Sequence, residues 1–235
     1  MNNTAYISLS RQAATRRQME MIANNIANTS TPAFRAERLM FAEYVGKGAM
    51  SFVQDVGVVR DLREGAIAQT GNPLDIAIKG EGFFTMELAG ETYYTRNGRF
   101  RLDDEGKIIN GGGALLLDEA GKPIKLGDQV VRIEISRDGT VSTENGQAGK
   151  IRLVRFENEQ LLSAVNDGLF KTDQPALPAT NATTNQGMLE ESNVQPVVEI
   201  TNMIEAMRSY QNAQQMITNE HDRVLKSIEA LTRAA

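Results

Sequence analysis

Apolar residues recur in steps of three and four along the C-terminal part of the chain, from Val197 to the end. A period near 3.5 residues places such side chains on one stripe of an α-helix, facing a partner helix. No glycine or proline interrupts this stretch, which predicts a helix roughly 55 Å long, more than a domain core normally requires. The stripe consists of Ile200, Met203, Met207, Tyr210, Gln214, Ile217, His221, Val224, Ile228 and Leu231.

Two residues of the stripe, Gln214 and His221, are polar. A polar residue on an apolar seam fixes the register of two helices when a slipped neighbour would leave its hydrogen-bonding groups facing apolar side chains. The alternative is that both side chains face water. The sequence leaves both interpretations open.

The N-terminal segment, from about Thr4 to Thr29, also has helical periodicity, with Leu9, Ile22 and Ile26 on apolar stripes. Pro32 ends this helix, because the residue before a proline is disfavoured in the α region.

Three asparagines, Asn24, Asn25 and Asn28, fall within five residues near the end of this helix. Asparagine is a poor helix former. The cluster therefore indicates amides that hydrogen-bond outside the helix, or else a helix end that asparagine caps.

The middle of the chain has a different pattern. Glycine is absent from residues 1–45 and after Gly187, whereas sixteen of the twenty glycines lie between Gly57 and Gly149. Apolar and polar residues alternate at 74–78 and 84–88, as in half-buried strands, and Asn-Gly and Asp-Gly pairs mark turns.

Together these patterns predict an α+β fold, with N- and C-terminal helices pairing as a coiled-coil layer and an antiparallel β-rich domain inserted between them. Residues 34–45 are interpreted as a short helix and 172–192 as irregular. The predicted segments are 1–32 plus 193–235 for a helical assembly domain, 33–70 for an extended or helical connector, 71–171 for the β-rich domain, and 172–192 for a second connector.

Composition excludes several functions. The formal charge of −5 argues against a general nucleic-acid binder, which needs a basic face. The lack of cysteine and the single histidine exclude thiolate catalysis, Cys-ligated zinc and His-pair metal sites, so we expect no cofactor. No apolar run approaches 18 residues and the first residues do not resemble a secretory signal, so we expect a cytosolic protein unless another export route exists.

Three patterns superficially resemble catalytic or ligand sites. Gly80-Glu81-Gly82 begins a G-x-G-x-x-G motif, but Thr85 occupies the third glycine position and a strand follows, which favours a hairpin turn. Asp103-Asp104-Glu105 could supply paired carboxylates, but acid–base chemistry needs one desolvated partner, so a solvated turn is favoured. His221 lies on the helical stripe without a nearby nucleophile.

The segment Ala23-Asn24-Asn25-Ile26-Ala27-Asn28, followed by Thr31-Pro32-Ala33-Phe34-Arg35, resembles the N-terminal signature of the flagellar rod and hook protein family. That signature is an A-N-N-[IL]-A-N box and a T-x-G-F-[KR] box, and Ala33 replaces its glycine. A second block includes Thr70-Gly71-Asn72-Pro73-Leu74-Asp75 and Tyr94-Thr95-Arg96. A third includes Ser192-Asn193-Val194, Glu199, Thr201, Met203 and Tyr210.

The resemblance covers most of the chain and implies a non-enzymatic building block of the flagellar basal-body rod. It implies that the chain leaves the cytoplasm through the flagellar export apparatus without a cleaved signal, and lies in the periplasmic space without inserting into a membrane. The implied partners are copies of itself and other rod proteins. Proximal-rod members resemble it most, with distal-rod members as the alternative. The expected helical interface comprises the stripe above with Leu9, Ile22, Asn24, Asn25, Ile26 and Asn28.

Two other classes stay open from the residues alone. One is a carbohydrate-binding or hydrolytic β-domain with coiled-coil tails, which requires a cleft with a perturbed acid pair. The other is a two-stranded coiled-coil dimer with a β cap, which sedimentation distinguishes from a polymer.

Overall fold

The computed structural model describes residues 3–45, 51–127 and 132–233. The chain divides into two compact units, named here the terminal unit and the central unit. The terminal unit comprises Met1–Thr29, Ala36–Asp61 and Val194–Ala235, and the central unit comprises Ser30–Arg35 and Leu62–Asn193.

The terminal unit contains both long helices. Helix α1 spans Asn3–Ala27 and helix α2 spans Pro196–Arg233, which confirms a helix at each end. The helices pack side by side and run antiparallel, since Gln12 bonds to Gln214 and Asn25 bonds to Glu199. Neither helix, over its described residues, combines the length and hydropathy needed to cross a bilayer.

A β-hairpin completes the terminal unit. Strand β1, Glu37–Val45, pairs antiparallel with strand β2, Ser51–Arg60, and the register shifts once along the ladder. The short helix predicted at 34–45 is therefore wrong over most of its length. The spacing of apolar residues there fits a helix locally, but pairing with the next strand along the chain decides the conformation.

The central unit is built from short strands. Its sixteen strands, within the described residues, are β3 Ile67–Gln69, β4 Ile76–Lys79, β5 Phe83–Leu88, β6 Glu91–Thr95, β7 Arg101–Leu102, β8 Ile108–Ile109, β9 Leu115–Leu116, β10 Ile133–Ile135, β11 Thr140–Thr143, β12 Gly146–Lys150, β13 Leu153–Arg155, β14 Ser163–Ala164, β15 Leu169–Lys171, β16 Leu177–Pro178, β17 Thr183–Gln186 and β18 Met188–Glu190. Two 3₁₀ turns, Glu159–Leu161 and Asn166–Gly168, flank β14.

All described strand pairs are antiparallel. The largest sheet has the order β14-β15-β6-β5-β9-β8-β7, with β13 joining β5 and β16 joining β13. A separate three-stranded sheet has the order β10-β11-β12, while β17 pairs with β4 and β18 with β3. Many antiparallel strands beside two helices agree with the predicted α+β class.

The segment 172–192 is not irregular, because it carries β16, β17 and β18. These strands return to pair with β13, β4 and β3, which for β17 and β18 lie about a hundred residues earlier. The segment is rich in Thr, Asn and Gln, and its strands are short with few apolar positions. Its composition therefore resembles that of a loop.

The predicted hairpin turns were correct at three sites and wrong at two. Asn97-Gly98 connects β6 to β7, which are not neighbours in the sheet. Asp104–Gly106, Asp138–Gly139 and Asn145–Gly146 connect strands that pair as hairpins. Gly80–Gly82 connects β4 to β5, but β4 pairs with β17, so this turn is not a hairpin. A strand follows it, and a phosphate-binding loop would need a helix there.

The core of the central unit consists of large apolar side chains. Phe84 is fully buried and meets Phe100 edge to face, with ring centroids 5.1 Å apart. Phe83, Phe156 and Phe170 lie in a second cluster. The main cluster is formed by Ile76, Ile78, Phe84, Met86, Phe100, Ile108, Ala114, Leu116, Ile124, Leu126, Ile135, Val141, Ile151 and Leu169.

Candidate assembly surface

Small residues dominate the contact between α1 and α2. Ser8 and Thr15 are buried on α1, one heptad apart, and Ile22 continues the series. On α2 the buried residues, among those whose side chains are described, are Glu199, Ala206 and Ala213, again seven apart. Small side chains let two helices approach closely, but they bury little apolar area. The contact between α1 and α2 is therefore small in area, and few large side chains contribute to it.

The predicted stripe of α2 only partly coincides with this contact. Met203, Tyr210 and Ile217 are half-buried, whereas Ile200 and Met207 are about half exposed. The buried row has Ala206 and Ala213 where the prediction placed Met207 and Gln214, so it is rotated by one residue. The predicted stripe consists mainly of large apolar residues, whereas the buried seam of α2 contains alanine.

The large apolar residues of the terminal unit face outward instead. Of seventeen large hydrophobic side chains that are exposed among the described residues, thirteen lie in the terminal unit. On α1, Leu9 is 56% exposed, while Ile26 is half-buried. On α2 the exposed set is Val197, Val198, Ile200, Ile204, Met207, Met216, Val224, Leu225 and Ile228.

Asn25 fastens the end of α1 to the hairpin. Its side-chain oxygen accepts a hydrogen bond from the Glu37 backbone N–H at 2.9 Å, and its amide donates to the Glu37 carbonyl at 2.9 Å. The same amide lies 3.4 Å from Glu199 Oε2 on α2. Asn25 is 1% exposed, so the sequence inference of an amide bonded outside the helix is correct at this position.

Asn24 and Asn28 act at the helix end. Asn28 Nδ2 donates to the Asn24 carbonyl at 2.9 Å and to Asn24 Oδ1 at 2.8 Å. These bonds cap the last turn of α1, so the capping alternative is correct here.

The two polar residues of the stripe have different surroundings. Gln214 Oε1 accepts a hydrogen bond from Gln12 Nε2 at 2.9 Å, across the helix pair. His221 is exposed, as are Val224 and Ile228 nearer the end of α2. Leu231 lies in α2, but its side chain is outside those that the structure describes.

The central unit contains a buried ionic cluster, formed by Arg35, Glu64, Arg96 and Glu190, that the sequence did not predict. Arg96 is 5% exposed and donates from Nε to Glu190 Oε2 at 2.8 Å and from Nη2 to Glu64 Oε1 at 3.0 Å. Its remaining donors reach the carbonyls of Ile78, Gly80 and Gly82. All five N–H donors of the guanidinium are thereby used.

Arg35 adds a second cation to the cluster. Its Nη2 lies 3.0 Å from Glu190 Oε1, and its Nη1 donates to the Arg63 carbonyl. Burial lowers the pKa of Arg35, an effect that Glu190 opposes. The cluster thus ties three separate segments of the central unit to one carboxylate.

Nothing local in the sequence marks this cluster. Arg35 and Arg96 stand out in the sequence only as part of the family motifs, and Glu190 is the last residue of the short strand β18. Their burial depends on segments more than ninety residues apart. Only the fold brings these charges together.

The acidic triplet is a turn, as predicted. Asp103 Oδ1 accepts hydrogen bonds from the backbone N–H groups of Glu105 and Lys107, at 2.9 and 2.7 Å. Over the residues described, no three metal-binding side chains come together. The features suited to assembly are therefore the outward apolar face of the terminal unit and the hydrogen bonds of Asn25 that hold the end of α1.

Three family models match successive parts of the chain. The model described as "Flagella basal body rod protein" matches residues 6–35, and "Flagellar hook protein FlgE/F/G D1 domain" matches residues 77–143. The model described as "Flagellar basal body rod FlgEFG protein C-terminal" matches residues 185–229.

Similar proteins align over nearly the whole chain. A flagellar basal-body rod protein FlgF of Caulobacter vibrioides is 37% identical over 98% of each chain. The FlgF protein of Mesorhizobium japonicum is 32% identical over 90% of each chain. A flagellar basal-body rod protein FlgG of Caulobacter vibrioides is 33% identical, covering 93% of this chain and 95% of the relative.

Proposed function

The chain belongs to the flagellar rod and hook protein family, as a basal-body rod protein of the FlgF type, and we propose that its terminal unit builds the rod wall. It is a structural subunit, and its relatives are structural proteins rather than enzymes. Family membership implies assembly with other flagellar rod proteins. Contact between copies of this chain is part of the proposal.

The observation that carries the proposal is the distribution of small and large side chains in the helix pair. The contact inside the pair is made mainly by small residues, while large residues such as Ile200, Ile204 and Met207 face outward. A helix with apolar residues on two faces packs against more than one neighbour. Within the chain α1 covers only one of these faces, and neighbouring subunits supply the other contacts.

In the proposed wall, terminal helices of adjacent subunits form a coiled-coil layer. Residues on α1 contribute through the outward Leu9 and through the Asn25 fastening that fixes the helix end. Residues on α2 contribute on both of its apolar faces. The proposed interface retains Leu9, Ile22, Asn24, Asn25, Ile26, Asn28, Ile200, Met203, Met207, Tyr210, Gln214, Ile217, His221, Val224, Ile228 and Leu231.

The remaining parts of the proposal concern place and route. We place the subunit in the proximal rod, the position that the resemblance implies for members of the FlgF type. The FlgF protein of Caulobacter vibrioides is 37% identical to the chain, whereas the FlgG protein of the same organism is 33% identical. We infer that it reaches the periplasmic space through the flagellar export apparatus, without a cleaved signal. The position in the rod and the export route are both inferred from membership of the family. A wall of packed helices also agrees with an axial structure.

The test is a charge on the outward face of α2. Met207→Asp places a carboxylate that a neighbouring subunit would desolvate without a partner, at a penalty of several kcal/mol. We expect this variant to be secreted but absent from purified basal bodies, with loss of swimming. Asn212→Asp is the matched control, because it puts the same charge on an exposed position about 140° round the helix and hardly changes the size of the side chain there.

The readouts are motility, secretion and an immunoblot of purified basal bodies. Normal swimming with Met207→Asp would mean that this face meets no neighbour. Equal loss with Asn212→Asp would mean that any added charge disturbs the helix, and the face would no longer be implicated.

A further inference from the structure

The central unit consists of two separate chain segments, so it has four ends. These ends are Ser30, Arg35, Leu62 and Asn193. A force that is transmitted along the chain from the terminal unit enters the central unit at these residues. The contacts that hold the ends therefore decide how such a force reaches the strands of the central unit.

Backbone and amide hydrogen bonds join the chain next to three of the four ends. The Ala33 N–H donates to the Glu190 carbonyl at 2.9 Å, and the Asn193 N–H donates to the Phe34 carbonyl at 3.2 Å. The Asn193 side chain also donates from Nδ2 to the Arg63 carbonyl at 2.8 Å. Segments that lie far apart in the sequence are thus bonded directly to one another at the ends.

The carboxylate of Glu190 lies at the centre of these bonds. Its Oε1 lies 3.0 Å from Arg35 Nη2 and accepts a hydrogen bond from the Gly65 backbone N–H, also at 3.0 Å. Arg35 Nη1 donates to the Arg63 carbonyl. A Cβ added at Gly65 would lie 1.9 Å from the Glu191 carbonyl oxygen, so glycine is what lets these two segments approach so closely.

Arg96 connects the same carboxylate to the strands. Its Nε donates to Glu190 Oε2 at 2.8 Å, and its other donors include those to carbonyls at β4 and in the turn before β5. Glu190 itself belongs to β18, which pairs with β3. The planar guanidinium holds its partners in a fixed geometry. The ends are therefore tied through Glu190 and Arg96 to paired strands of the central unit.

We propose that these contacts carry the torque of the rod from the chain ends into the central unit, an inference that rests on the proposed rod function. Stability alone does not explain a buried ionic cluster, because apolar residues of similar volume often stabilise a protein as well or better. Hydrogen bonds have a narrow range of length and angle, whereas apolar surfaces slide over one another. The contacts are named here the end network, with the members Ala33, Arg35, Gly65, Arg96, Glu190 and Asn193.

Arg35→Met is the variant that tests the end network. It removes the bonds of Arg35 but leaves Glu190 paired with Arg96, so no buried charge loses its last partner. We expect the variant to enter basal bodies and to swim normally in dilute medium. In medium of high viscosity we expect its rods to break, with flagella released and swimming lost, under conditions in which cells with the unmodified chain still swim.

Two further variants separate positioning from stability. Arg35→Lys keeps a cation beside Glu190 and should restore swimming in viscous medium. Val141→Ala removes buried apolar area from the main hydrophobic cluster and leaves the end network intact. We expect Val141→Ala to keep swimming in viscous medium, although its unfolding midpoint in urea should be at least as low as that of Arg35→Met.

Hydrogen exchange of the purified full chain provides a measurement that does not require assembly. In Arg35→Met the backbone N–H groups of Ala33, Gly65 and Asn193 should exchange faster relative to that of Leu117, which donates to the Thr85 carbonyl within the sheet. In Val141→Ala the exchange at the ends should not increase relative to Leu117. Equal acceleration at all four groups in Arg35→Met would mean that the network does not hold the ends, and would overturn the proposal.

The swimming experiments contradict the proposal in two further cases. Unchanged swimming of Arg35→Met in viscous medium would show that the torque does not depend on the end network. Equal losses in Arg35→Met and Val141→Ala would show that only the stability of the central unit matters. In both cases the proteins are present in basal bodies, so the rod function stands. Absence of the unmodified chain from basal bodies would instead refute the rod function itself.

Discussion

The central and terminal units fill their interiors with different residues. Among the described side chains, the central unit fully buries Phe84, Met86 and Leu116 together with many other large residues. The buried apolar residues of the terminal unit are Ile22, Ala36, Val194, Ala206 and Ala213. One unit contains a conventional hydrophobic core, whereas the other contains a close but small contact.

This difference indicates where each unit obtains its stability. Burial of large apolar side chains contributes about 1.5–3 kcal/mol per residue, so the central unit is stabilised from within. Helices obtain most of their stability from packing of their apolar face, and the terminal unit leaves much of that face uncovered. On the function proposed above, neighbouring subunits cover the rest of that face.

The largest contrast is expected between Phe84→Ala and Ile200→Ala. Phe84 is fully buried, so its truncation should lower the free energy of unfolding by about 3–5 kcal/mol. Ile200 is 50% exposed, so its truncation should change the same quantity by about 0.5 kcal/mol or less. Urea unfolding of the full chain, followed by circular dichroism, measures both. Similar losses would remove the distinction between the two interiors.

The next effect concerns the ionic cluster of the central unit. Glu190→Gln leaves the cations of Arg35 and Arg96 without their shared carboxylate, and breaking such a buried pair should destabilise the chain by about 3 kcal/mol. The control is Glu91→Gln, which removes an exposed pair with Lys171 and should leave the unfolding midpoint unchanged. An unchanged midpoint for Glu190→Gln would mean that the cluster contributes nothing to stability.

The sequence predicted the elements whose signals are local. Helix α2 follows from heptad spacing and helix α1 from shorter apolar stripes. The Asp138–Gly139 and Asn145–Gly146 hairpins follow from turn chemistry. The α1–α2 contact within the chain uses Ala206 and Ala213, which lie one position from the predicted stripe because that stripe consists mainly of large apolar residues. Their small size matters only once a partner helix is in place.

Features that depend on distant partners could not be predicted. The strands at 183–190 and the Arg96–Glu190 pair each join segments whose pairing no local window contains. In the sequence, a strand with little apolar periodicity looks like a loop. A charged residue in a polar context looks like a surface residue. Tertiary pairing decides these cases.

A smaller effect is expected at Ala33, where the family signature has glycine. Ala33 has φ of 56°, a left-handed conformation that an L-residue adopts at a cost of about 1–2 kcal/mol. Ala33→Gly should therefore raise the stability of the central unit by about 0.5–1 kcal/mol, after loss of a buried methyl group. Ala36→Gly, at a buried alanine without positive φ, should instead destabilise the chain. Thermal unfolding separates the two signs, and destabilisation by both would show that Ala33 is not strained.

The smallest change in stability is expected for Gln12→Leu combined with Gln214→Leu. Replacing both partners of a hydrogen bond by apolar groups is nearly neutral, so unfolding should shift by about 0.5 kcal/mol or less. The register of α1 on α2 should nevertheless loosen, because one of the polar pairs that oppose a slip of one heptad is lost, although Asn25–Glu199 remains. In this register Ser8 lies opposite Ile217, and a slip of one heptad would place it opposite Tyr210. Disulfide trapping of Ser8→Cys with Ile217→Cys, compared with Ser8→Cys with Tyr210→Cys, therefore measures the register directly. The unmodified seam should form only the first disulfide and the double leucine variant should form both, whereas an unchanged preference in that variant would mean that this polar pair does not set the register.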